Sequence, residues 1–250
     1  MTDLLRAENL CKSFGSIKAV NQASITVPAG SITGLIGPNG AGKTTFFNLL
    51  SNFIVPDRGQ IIFAGQPIQK LPPHRIARLG MVRTFQVAKA LSRLSVLENM
   101  LLGAQDQTGE KMWQAWMPQV AKDQKLLKEK AMTILTDIGM DHKAADFAGG
   151  LSGGQRKLLE MGRALMSDPK LILLDEPAAG VNPRLIDDIC GHIQRWRKDG
   201  MSFLVIEHNM DVIMSLCDRV WVLAEGSNLV DGPPAKVQND PQVLEAYLGS

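Results

Sequence analysis

A chain of 250 residues, 45% of them apolar, is long enough to bury a core that needs no disulfide or metal staple. Its 27 basic and 25 acidic residues leave a net charge of +2 and no basic tract, so composition argues neither for nor against a nucleic-acid partner. Cys11, Cys190 and Cys217 are too few and too scattered for a disulfide framework or a zinc site, and they fit small buried positions in a reducing cytosol.

Residues 1–6 lack the basic region and apolar run of a signal peptide, and no stretch approaches the ~18–20 apolar residues of a membrane span. The first strong element is an apolar run at 32–36, which predicts a buried strand. A glycine-rich turn follows, then a helical stretch over 43–50. From about 96 to 165 the spacing is helical, with a charged, leucine-containing helix over 122–137 and another over 156–166, and no good strand. Strands are predicted again at 171–174, 203–206 and 220–223, separated by helices over 183–198 and 210–217. Asp240 and Pro241 open a short terminal helix. Strand–helix alternation predicts an α/β fold with a mostly parallel sheet. The helical stretch reads as an insertion: one domain over 1–250, with a core of 1–87 and 166–250 and a helical subdomain at 88–165.

Gly37-Pro38-Asn39-Gly40-Ala41-Gly42-Lys43-Thr44 has the spacing G-x-x-x-x-G-K-[ST] between a predicted strand and a predicted helix. Glycines let the backbone wrap phosphates with its N–H groups pointing inward, and the helix N-terminus adds a favourable dipole. Lys43 suits the β- and γ-phosphates, the Thr44 hydroxyl suits Mg²⁺, and Thr45 adjoins them. This motif alone predicts a nucleoside triphosphatase. Asp175 and Glu176 end one buried strand, and His208 lies just beyond another, all at the edge where open α/β sheets bind ligands.

Leu151-Ser152-Gly153-Gly154-Gln155, before a helical run, resembles the signature sequence of the ABC ATPases, and 171–177 resembles their second phosphate-side motif. The resemblance covers nearly the whole chain in family order: phosphate loop, glutamine loop, signature, acidic pair, histidine. It implies a P-loop NTPase core with a mostly parallel sheet, an antiparallel β subdomain and an inserted α-helical subdomain. It implies ATP and Mg²⁺ as ligands, with Asp175, Thr44 and Gln86 on the metal side. Glu176 orients the attacking water, and Lys43 and His208 engage the phosphates. Phe14 takes the place of the aromatic that stacks on adenine. Two such domains pair head to tail, so that Ser152, Gly153, Gly154 and Gln155 of one close over the γ-phosphate held by the other.

Further stretches are similar to one importer branch, that for branched-chain or neutral (hydrophobic) amino acids: 43–48, 82–86, 178–183, 206–210 and 245–249. That branch implies a second ATPase subunit, identical or not, two transmembrane permease subunits, an external (periplasmic) substrate-binding protein, no nucleic acid, and a peripheral place on the cytoplasmic face of the inner membrane. Urea importers of the same class have similar ATPases, and a soluble ABC ATPase without a transporter is the remaining alternative. Most of the family has an aspartate where this chain has Asn182, a departure that the branch shares. Trp113 and Trp116, in the insert after Gly103, read as local packing.

Overall fold

The computed structural model describes residues 2–84, 91–105 and 118–248, with the side chains of 118–121 excepted. In chain order the elements are β1 (Asp3–Phe14), β2 (Ile17–Pro28), β3 (Ile32–Ile36), α1 (Lys43–Leu50), β4 (Arg58–Phe63), β5 (Gln66–Pro67), α2 (Pro73–Arg78) and β6 (Met81–Arg83). Then come α3 (Val96–Leu101), α4 (Pro118–Asp137), α5 (Gly153–Leu165), β7 (Leu171–Asp175), α6 (Pro183–Lys198) and β8 (Ser202–Ile206). The chain closes with α7 (Met210–Leu216), β9 (Arg219–Ala224), β10 (Ser227–Gly232), α8 (Pro234–Gln238) and α9 (Pro241–Leu248). Two compact units result. One comprises Met1–Arg83, Lys170–Ala179 and Asp187–Ser250; the other comprises Thr84–Pro169 and Gly180–Ile186.

In the first unit a six-stranded sheet runs β10-β9-β3-β8-β7-β6. Its strands are parallel except β10, which pairs antiparallel with β9 at the edge. All five residues of β3 and of β8 are buried, which explains their unbroken apolar character. Gly34 in β3 lets α7 come close: a Cβ there would sit 3.0 Å from Cys217 Sγ and 3.2 Å from Ile213 Cδ1. Cys217 is buried as expected, while Cys11 and Cys190 are half-buried. Burial pushes the Cys190 thiol up to about 11, so it stays protonated.

A second, antiparallel sheet of order β2-β1-β4-β5 lies in the same unit. Leu5, Leu10, Ile25, Ile61 and Phe63 from its strands join Phe46 and Phe47 of α1 in one core. Each fully buried aromatic of that core contributes about 1.5–3 kcal/mol by leaving water.

The described part of the second unit is helical. Its α3 opens on a capping box, with the Ser95 hydroxyl accepting from Glu98 N and the Glu98 carboxylate accepting from Ser95 N. Gly162 of α5 lies against Met100 of α3 and Ile138, where a Cβ would meet their side chains at 3.1–3.3 Å.

Candidate active site

The parallel register sets three strand ends level. Ile206 of β8 pairs with Leu35 of β3 on one side and with Asp175 of β7 on the other. The residues that follow, from 37, 176 and 207 onward, therefore leave the sheet at one edge.

The loop after β3 is shaped by two glycines. Gly37 (φ 153°) passes so near β9 that a Cβ would lie 2.1 Å from Leu223 O. Gly42 (φ 90°) sits equally close to β2, where a Cβ would lie 2.3 Å from Ala19 O. As N-cap of α1, Gly42 brings no side-chain cap. No cap side chain therefore competes for the first-turn N–H groups, the arrangement that suits an incoming anion. Lys43 is buried beneath the loop, its Nζ donating to Gly37 O (2.6 Å) and Pro38 O (2.8 Å). Burial lowers its amine below the ordinary lysine range, and the carboxylate of Glu176 pulls it back up. On the other side of Gly37, its N–H donates to the Tyr247 hydroxyl of α9 at 2.9 Å.

Glu176 follows β7 with φ +50°, a left-handed backbone that side chains other than glycine adopt at a cost of about 1–3 kcal/mol. Its N–H donates to Ile206 O (2.9 Å), which fixes the turn against β8. Its Oε1 lies 3.0 Å from His208 Nε2. Glu207, the buried residue before His208, accepts from Ala178 N (2.6 Å) and His208 N (3.1 Å). It ties the loop after β7 to the end of β8. Asp175 is ion-paired with Arg83 of β6, Oδ2 to Nη2 at 2.8 Å. The same guanidinium donates to Asn48 Oδ1 (2.6 Å) and Ser51 Oγ (3.1 Å) and stacks over Phe47.

A cavity of about 440 Å³ lies at this edge of the sheet. Asn39, Gly40, Ala41, Gly42, Lys43, Thr44, Thr45, Glu176 and His208 all line it. Its remaining wall comes from Ile17 to Ala19 at the start of β2, from Ile206 at the end of β8, and from Glu225 and Gly226 in the β9–β10 turn. Phe14, 48% exposed, stands opposite Ile17 in the β1–β2 hairpin, and of the two it is Ile17 that lines the cavity. Gln86, Trp113 and Trp116 lie outside the described residues. Ser152, Gly153, Gly154 and Gln155 belong to the other compact unit. There Ser152 and Gln155 form a capping box: Ser152 Oγ accepts from Gln155 N at 3.2 Å, and Gln155 Oε1 accepts from Ser152 N at 3.0 Å. Asn182 accepts from Leu185 N (3.0 Å) and so caps the start of α6.

The sequence expectation covers Glu207 and Arg83 within 206–210 and 82–86 but gives them no role, and it does not include the β9–β10 turn. A glutamate between a buried strand and His208 was the available signal for the first. The turn is brought in by long-range bonds, Gly226 N to Ala41 O and Asn21 N to Gly226 O, that no local pattern announces.

The oxygen donors fit Mg²⁺. Thr44 lines the cavity, and Asp175, next to the lining residue Glu176, is a carboxylate whose Oδ2 is paired with Arg83. Among the described residues no three His, Cys, Asp or Glu side chains gather into a metal cage. Mg²⁺ is bound through one or two protein oxygens plus substrate phosphates, which is the donor set available here.

The family model described as "ABC transporter" matches residues 20–179. The chain belongs to the ABC transporter family. A second family, the branched-chain amino acid ATP-binding cassette transporters, matches residues 228–250. Among ABC relatives, a probable branched-chain amino acid transport ATP-binding protein of Archaeoglobus fulgidus is 43% identical, over 99% of this chain and 96% of its own. The high-affinity branched-chain amino acid transport ATP-binding protein of Escherichia coli is 36% identical over 98% of both chains. A nucleotide-free ATP-binding cassette crystal structure superposes with a TM-score of 0.87 at 38% identity, covering all of both chains. A cassette in its ADP conformation matches equally well. The chain is thus an ATP-binding and ATP-hydrolysing subunit of an ABC transporter. Such a subunit pairs with a second ATPase domain and works with membrane permease subunits. Among the described residues no helix is long and apolar enough to cross a membrane.

Proposed function

We propose that this subunit energises the import of branched-chain or other neutral amino acids from the cytoplasmic face of the inner membrane. The observation that carries the cargo is the match of residues 228–250 to the branched-chain amino acid cassette family. Relatives named for the same cargo support it over nearly the whole chain. The full complex contains a second ATPase subunit, two transmembrane permeases and an external substrate-binding protein, and no nucleic acid.

In this reading 1–250 is one ATPase domain, with 88–165 inserted as a helical subdomain into 1–87 and 166–250. The backbone of Gly37, Pro38, Asn39, Gly40, Ala41, Gly42, Thr44 and Thr45 wraps the ATP phosphates, with N–H groups of Gly40, Gly42, Thr44 and Thr45 among the donors, and Lys43 supplies the positive charge. Phe14 offers a ring face to the adenine at the rim. Thr44 and Asp175 with Gln86 would hold Mg²⁺, which when bound would supply positive charge against the charge developing on the phosphates. Glu176 orients the attacking water, and His208, within hydrogen-bond distance of it, fixes its direction. Ser152, Gly153, Gly154 and Gln155 close over the γ-phosphate held by the paired subunit.

Two measurements on the assembled transporter test this. Glu176→Gln lowers ATP turnover by about a hundredfold or more while ATP still binds; hydrolysis at the native rate would overturn the assignment of Glu176. Deleting the chain abolishes uptake of labelled leucine, isoleucine and valine. Loss of urea uptake with leucine uptake intact would overturn the cargo.

A further inference from the structure

The terminal helix α9 carries Tyr247 within the stretch that matches the branched-chain amino acid family. The ring is half-buried, and its hydroxyl oxygen accepts the N–H of Gly37, 210 positions earlier in the chain, at 2.9 Å. Gly37 is buried and is the first residue of the phosphate loop, and its own carbonyl accepts from Lys43 Nζ at 2.6 Å. One residue is therefore clamped from both sides, by the chain terminus at its N–H and by the phosphate-binding lysine at its carbonyl. Val243, buried on the same helix, helps seat α9, which packs against α8 and β10.

We propose that Tyr247 is a positioning residue for nucleotide binding: its hydroxyl fixes the first peptide of the phosphate loop, so the terminal segment sets how well the loop is arranged for phosphates. The inference rests on the reading of residues 37–44 as the phosphate cradle. Loop N–H groups bind phosphate well only when they converge before the ligand arrives. Losing the acceptor leaves a buried N–H unsatisfied and spreads the loop over more conformations, a cost that appears as weaker affinity. Burial raises the phenol above its ordinary value, opposed by the bond from Gly37, so the hydroxyl is neutral at physiological pH.

The test uses the full chain and three variants, with ADP and ATP affinity read by titration and folding by thermal melts. Tyr247→Phe keeps the ring and removes only the oxygen; it weakens both nucleotides about three- to tenfold with a melt close to native. In the assembled transporter KM for ATP rises by a similar factor and kcat changes less than about twofold. Val243→Ala loosens α9 while leaving the hydroxyl, lowers the melt more and the affinity less. Lys43→Ala abolishes measurable binding. If Lys43→Ala binds like the native chain, the cradle reading itself fails. If Lys43→Ala fails to bind but Tyr247→Phe binds like native, the role of Tyr247 is overturned. It is equally overturned if Val243→Ala loses as much affinity as Tyr247→Phe, because Tyr247 then acts only by seating the helix.

Discussion

Two helices of this molecule have glycine at or just after the N-cap, and they treat their first turns in opposite ways. At α1 the N-cap is Gly42, which brings no capping side chain, and the neighbouring charge is that of Lys43. At α5 the N-cap is Ser152, and a reciprocal pair with Gln155 satisfies one first-turn N–H from within. The backbone approaches differ too. Gly42 sits against the carbonyl of Ala19, a group of the sheet itself. Gly154 sits against Leu185 Cδ2, the end of a side chain that can rotate. The first site is built into rigid backbone and left open for anionic oxygens. The second is held by its own cap, an arrangement compatible with the proposed closure over a nucleotide of the paired subunit.

That contrast can be broken by adding one methyl group at each site. Gly42→Ala combines a left-handed φ with a 2.3 Å clash against backbone oxygen, so the loop must distort. Nucleotide affinity should fall by about a hundredfold or more in an ADP titration, the loss expected when charge-assisted phosphate contacts are misplaced. Gly154→Ala requires Leu185 to move, and it should leave the single chain's ADP affinity within about twofold while lowering stability by roughly 1–3 kcal/mol. Equal losses of affinity in the two variants would refute the distinction. A smaller effect sharpens it: Ser152→Ala removes the α5 cap at a cost of about 1 kcal/mol, a fall of roughly 2–4 °C in the melting temperature. The smallest change expected is at Asn182, the cap of α6. Aspartate and asparagine cap about equally well, so Asn182→Asp should stay within about 0.5 kcal/mol of native in a thermal melt.

The buried parallel strands were legible because their surroundings make them so. β3, β7 and β8 lie inside the sheet with helices in the same chain segments, and their sequences are nearly unbroken apolar runs. α1 and α6 were read to the residue, since glycine or asparagine starts them and a change of periodicity ends them. β1 and β2 were not readable from residue pattern. Asn9 and Gln22 adopt positive φ and the register between the strands shifts repeatedly, so the alternation expected of a half-buried strand is lost. The antiparallel sheet was reached only through family resemblance, and β10, half-buried along most of its length, was missed. At the site the same division holds. Lys43, Glu176 and His208 follow strands and carry chemistry in their identities. Glu207 and Gly226 act through backbone groups supplied from elsewhere in the chain, and a one-dimensional pattern does not contain those partners. The Arg83–Asp175 pair belongs to the same class, linking strand ends 92 positions apart.

Tyr247 is the only tyrosine in the chain. Growing the protein on fluorotyrosine therefore places one fluorine nucleus beside the phosphate loop with no cysteine removed and no tag attached. Its single resonance reports on the nucleotide site of this subunit even inside the assembled transporter, provided the partner chains are expressed unlabelled. An observer could then follow loop rearrangement through a transport cycle from the opposite end of the polypeptide.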